Sequence, residues 1–132
     1  MEGDIVIART GATVGYAKRL NRRYPEAVFA SYLVRLRIRR EFESLMVGLF
    51  VESDGYKSYV QSRVGGAAQP NANAKVLSAA EVLVPPPTLQ RLFRESVESL
   101  ADQREILQVQ NQLLRAARDL LLPRLMSGQM AV

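Results

Sequence analysis

The sequence predicts an α+β fold: a small twisted sheet with short helices, followed by one long C-terminal amphipathic helix of coiled-coil character. Three observations carry this. Phe93, Leu100, Leu107, Leu114 and Leu121 recur at every seventh position, the period of a helix with one apolar stripe. Val34, Leu36 and Ile38 alternate with Arg35, Arg37 and Arg39, the period of a half-buried strand. Between these segments, short apolar runs at helical spacing are too brief for anything but one- to three-turn helices.

Taken in order, Asp4 to Ala8 reads as a buried strand. Arg9 to Gly15 (RTGATVG) reads as a tight turn whose two glycines permit close backbone approach, leading into a second strand from Val14 to Lys18. A phosphate-cradling loop would need Lys and Ser/Thr after the second glycine, where Tyr16 and Ala17 stand. A basic link through Arg22 and Arg23 precedes the arginine-alternating strand. Phe42, Leu45, Met46, Leu49 and Phe50 then mark a core-facing helix. A second short helix is capped by Ser53 or Asp54, buries Tyr56, Tyr59 and Val60, and ends at Arg63, where a cation suits the helix dipole. Val64 to Lys75 is read as an amide-rich loop, Ser78 to Ala80 as a single turn and Glu81 to Val84 as a closing strand. Pro85 to Pro87 form a stiff joint, Thr88 is placed as the cap of the long helix, and Pro123 is expected to stop or kink it. The organisation expected is a domain over 1–87 and a helix over 88–132. About 34 helical residues would give a rod of roughly 50 Å.

The stripe of that helix also describes its partner. The companion positions Ser96, Gln103, Gln110 and Ala117 would place polar groups in a strict self-paired seam, so a broader or unlike helix fits better. Phe93, Leu100, Ile106, Leu107, Leu113, Leu114 and Leu121 are the expected partner-facing residues. Self-association through the same stripe is a second expectation.

Composition narrows the chemistry. The 132 residues contain no Cys and no His, which removes disulfides, thiolate or imidazole metal sites, cysteine nucleophiles and any Ser-His-Asp arrangement. Glu52, Asp54 and Lys57 sit together at a helix junction, unlike the separated carboxylates of a metal-dependent nuclease. No catalytic residue, metal site or cofactor is expected. No run of 18 apolar residues and no leader-like start occurs, so a cytoplasmic protein without a membrane span is expected. The formal net charge is +5, and all but three of the 18 basic residues are arginines. The part before Thr88 has 12 basic and 8 acidic residues, and the rest has 6 and 5, so the excess lies in the front domain.

Arginine forks suit phosphates and guanine edges, which makes nucleic acid the natural partner class. Arg35, Arg37 and Arg39 would stand about 6.6 Å apart along one strand face, near the phosphate repeat of a nucleic-acid strand. The same pattern also describes a solvated sheet face paired with acids. In the loop, Gln69, Asn71 and Asn73 carry both donors and acceptors for base edges. Gly65 and Gly66 allow backbone amides near phosphate, and Lys75 adds a charge. An ordinary polar surface loop has a similar composition.

The order GDIVIARTGATVG, a strand, a short helical pair, GGAAQPNANAK, EVLVPPP, a long helix and LMSG resembles the specificity subunit of type I restriction-modification systems. It departs from that family where Thr88-Leu89-Gln90 replaces the usual Glu-Gln pair after the prolines. The resemblance runs over essentially the whole chain, which corresponds to about half of one of the family's repeats, and implies a C-terminal, split or truncated form. It implies a non-catalytic subunit whose target recognition domain reads double-stranded DNA. It also implies a long helix that sets spacing and docks the methyltransferase and restriction subunits. The alternative function is a coiled-coil interaction module that has lost DNA binding.

Overall fold

The structure, a computed structural model, describes residues 2–22, 24, 26, 28–64 and 70–129. The chain divides into two compact units, Met1–Arg94 and Glu95–Val132. The fold is α+β, as expected. Strands β1 (Ile5–Ala8), β2 (Ala17–Arg19) and β3 (Leu33–Leu36) form an antiparallel sheet in the order β2-β1-β3. The register pairs Ile5 with Arg19 on one side and with Leu36 on the other. Helices α1 (Ser44–Val51), α2 (Asp54–Arg63) and α3 (Ala74–Ser78) follow, then α4 (Pro87–Met126).

Ile5 and Ile7 point to the covered face of the sheet, where Val14, Tyr56, Val60 and Leu77 complete the core. The RTGATVG turn is as tight as its glycines imply. Gly11 and Gly15 have φ of +74° and +85°, with a 3-10 turn at Gly11–Thr13 between them. A Cβ on Gly15 would lie 3.2 Å from that of Val60, so this site combines a left-handed backbone with a close approach. These two glycines also delay β2, which begins at Ala17 because Gly15 breaks the extended run that Val14 would have started.

Helix α2 matches its expected form. Ser53 caps it by accepting from the Tyr56 N–H at 3.2 Å, and Tyr56 and Val60 are buried. The Tyr56 hydroxyl donates to the Leu77 carbonyl at 2.7 Å, tying α2 to α3. Burial first, and the neighbouring Tyr59 second, push the Tyr56 hydroxyl up to about 12 from 10.0. The neutral phenol therefore stabilises the fold fully below pH 10, and that contribution is lost as pH rises towards 12. The melting temperature should fall over this interval, and Tyr56→Phe should remove that component of the fall. An equal alkaline loss in both proteins would show that Tyr56 is not its source.

Several boundaries differ from the sequence reading. Helix α1 starts at Ser44, leaving Phe42 outside it, and buries Leu45, Gly48 and Val51. Gly48 is buried because the Arg19 side chain lies across it, 2.8 Å from where a Cβ would stand. Residues 81–86 form no strand. Leu83 is 89% exposed, so the alternating apolar residues there have no layer to bury against. Thr88 is not the cap of α4. Pro86 supplies the first carbonyl, accepting from Leu89 and Gln90, and Pro87 takes the first helical position, where a missing N–H costs nothing. Pro123 does not stop the helix. Its lost bond lies in the final turns among exposed residues, and α4 ends instead at Met126, terminated by Gly128 with φ +73°. There Gln129 N–H reaches the Arg124 carbonyl and Gly128 N–H the Leu125 carbonyl, the pattern of a glycine C-cap.

Candidate nucleic-acid interface

The expected arginine row is only partly a strand face. Strand β3 ends at Leu36, paired with Ile5; the next register position would set Arg37 opposite Asp4, and the residue before that, Gly3, has φ +83° and leaves the extended conformation. Arg35 therefore stands alone on the strand. It is half-buried, with its Nε 3.6 Å from the Asp4 carboxylate. Arg37 and Arg39 lie in the irregular segment beyond and are exposed, as is Arg40. Among the described residues, no hydrogen bond or ion pair engages the side chains of Arg37, Arg39 or Arg40. These four arginines line a groove of about 560 Å³ with Glu2, Asp4 and Ser44. Arg22 lies past the same end of the sheet, and its Nε is 2.8 Å from Glu2.

Arg40 also lines a second, adjoining groove of about 280 Å³ with Arg91, Arg94 and Glu43. Gln90 organises this corner. Its side-chain oxygen accepts from the Glu43 N–H at 2.8 Å and its amide donates to the Pro85 carbonyl at 2.9 Å. Glu43 caps α1 through Leu45 N–H and pairs with Arg94 at 3.6 Å. Gln90 is thus a buried polar residue with both ends satisfied, holding the first turn of α4 against the start of α1. Sequence periodicity gave no sign of this, because a glutamine in a helix normally faces water.

The amide-rich segment divides into different roles. Gly65, Gly66 and Gln69 lie outside the described residues, as does Arg23. Asn73 is the N-cap of α3, accepting from Val76 N–H at 2.9 Å, so its oxygen is engaged in holding that helix. A cap residue ahead of Ala74, Lys75 and Val76 is a signal the sequence did contain. Lys75 is exposed on α3. Asn71 is exposed and bridges to Thr10, and its side chain accepts from Arg9 Nη2 at 3.2 Å. Ala72 N–H reaches the Arg9 carbonyl at 2.7 Å, and Gly11 N–H the Pro70 carbonyl at 3.1 Å.

The register separates these features. Arg9 and Asn71 lie past the end of β1 at Ala8, and Arg37, Arg39 and Arg40 lie past the end at Ile5. Four strand residues place the two groups at least about 13 Å apart.

In α4 the expected partner-facing residues are placed as follows. Phe93 is half-buried, while Leu100, Ile106, Leu107, Leu113, Leu114 and Leu121 are exposed. Among the described residues, no group of carboxylates could hold a metal ion. Glu52, one of the acids at the helix junction, accepts from Arg19 N–H at 3.0 Å and thereby closes the outer edge of β2. No helix among the described residues is long and apolar enough to cross a membrane. No family model and no curated protein matches this sequence.

Proposed function

We propose that the chain is a non-catalytic DNA-recognition subunit of a type I restriction-methylation complex. Unit Met1–Arg94 contacts double-stranded DNA, and the leucine-bearing helix α4 assembles with the methyltransferase and restriction subunits. The observation that carries the DNA reading is the groove at one end of the sheet, where Arg37, Arg39 and Arg40 project without an acid partner among the described residues. Exposed guanidiniums that the fold does not neutralise suit phosphates, and a strand-end segment lets them follow a backbone instead of standing at a fixed strand spacing. The motif order GDIVIARTGATVG to LMSG supplies the family resemblance and the partners.

The test is binding of the full chain to duplex DNA over a salt titration. Each arginine that neutralises a phosphate adds about 0.9 to the magnitude of the slope of log K against log salt. Arg39→Ala should flatten the slope by about that amount and weaken all duplex sequences alike. A slope unchanged in Arg37→Ala, Arg39→Ala and Arg40→Ala would remove the groove from the interface.

A second reading is an interaction module that has lost DNA binding. It is favoured by the apolar residues exposed along α4, which call for a partner whatever the front unit does. In that case the same titration gives no saturable binding, while association through α4 persists.

A further inference from the structure

We propose that Arg9 reads a guanine base and that Asn71 is the positioning residue that aims it. This rests on the DNA reading above and assigns the base-discriminating contact to the end of the sheet opposite Arg37, Arg39 and Arg40. The Arg9 backbone is held on both sides: its N–H donates to the Tyr32 carbonyl at 2.9 Å and its carbonyl accepts from Ala72 N–H at 2.7 Å. Its side chain is held as well. Nη2 donates to Asn71 at 3.2 Å, and Nε is buried, with no acceptor among the described residues. A guanidinium with a buried Nε and one engaged terminal nitrogen has its plane fixed, and only its fork end remains for a ligand.

The chemistry of the pair selects the ligand. A guanidinium only donates, so the Asn71 atom facing it must be the amide oxygen. The Asn71 amide nitrogen and the Arg9 fork are then left as donors. A free asparagine offers one donor and one acceptor, which matches adenine. The Arg9–Asn71 pair offers chiefly donors, which matches the two acceptors, O6 and N7, of guanine in the major groove. The surroundings leave the pair open to a ligand. Tyr16 and Tyr32, whose carbonyls accept from Ala8 and Arg9, are both exposed, and the Lys57 ammonium stacks over the Tyr16 ring at 4.0 Å. Gly11, with φ +74°, supplies the left-handed backbone of the turn beside Arg9.

The experiment is selection of the full chain, as wild type, Arg9→Lys, Arg9→Gln and Asn71→Ala, on a pool of randomised duplexes, with thermal melts of each variant. Wild type should enrich a guanine at one position. Arg9→Lys, which keeps the charge and loses the fork, should reduce that preference at least about fivefold with bulk affinity retained. Arg9→Gln should move the preference at that position towards adenine, a change of identity that a merely structural arginine would not produce. Asn71→Ala should weaken the guanine preference without replacing it. A guanine preference that persists in both Arg9 variants, or a wild type that binds every duplex equally, overturns this assignment alone. A wild type that retains no duplex overturns the DNA reading and this assignment together.

Discussion

The full chain should sediment as an oligomer at high micromolar concentration, and Leu107→Glu should return it to monomer. Leu100, Leu107, Leu113 and Leu114 are each more than half exposed on α4. Bare leucines at helical spacing are relieved of water only by association. The companion positions Ser96, Gln103, Gln110 and Ala117 limit how tightly two identical copies can pair, which is why high concentration is needed and why an unlike helix should bind more tightly. A glutamate at 107 would bury an unpaired charge in any such contact, at about 3 to 5 kcal/mol. That is more than two decades in the association constant. A wild type that remains a clean monomer at these concentrations would remove the stripe as an association surface.

Tyr56→Ala should be the most damaging single change in the front unit. Tyr56 is 2% exposed, meets Phe50 edge-on with ring centroids 5.8 Å apart, and holds the Leu77 carbonyl through its hydroxyl. Truncation removes the ring contacts, opens a cavity and strands a buried carbonyl. Large-to-small changes at aromatic core positions cost about 3 to 5 kcal/mol. Against the roughly 5 to 15 kcal/mol that stabilises an ordinary domain, this is a large share of the margin. Urea titration followed by near-ultraviolet circular dichroism reports the front-unit tyrosines and is insensitive to residual helix in α4. Tyr56→Phe, which loses only the hydroxyl, should cost about 1 to 3 kcal/mol. A loss below about 1 kcal/mol in the alanine variant would mean that the core does not depend on this ring.

Local signals were read correctly where one short stretch contained the whole cause. Ser53, Tyr56 and Val60 define α2 because the cap and the buried edge lie within one helix. Gly11 and Gly15 define the turn because their conformations follow from having no side chain. The errors share a different physics. Whether Arg37 extends a strand depends on its register partner Asp4, 33 positions earlier, next to which Gly3 turns the partner strand away. Gly48 is buried by an arginine stem from β2, and Gln90 is buried by Glu43 and Pro85. Neither long-range contact leaves a period in the sequence. Asn73 was legible as a helix cap, and its amide chemistry pointed towards base reading instead. At the candidate interface the sequence singles out arginines and Asn71, but it gives no sign that they stand at opposite ends of one sheet. It also gives no sign of Arg9, whose side chain is held only because the fold brings Asn71 beside it.

The central proposal is that the front unit holds double-stranded DNA through Arg37, Arg39 and Arg40, which have no acid partner among the described residues. Its most direct test is the salt dependence of duplex binding by the full chain, compared with a variant carrying Arg37→Ala, Arg39→Ala and Arg40→Ala together. Three phosphate contacts predict that log K falls against log salt with a slope of about −2.7 or steeper, and that the triple variant loses about 2.7 of that slope. Saturable binding whose slope is the same in both proteins, or no duplex binding by the wild type at low salt, would contradict it.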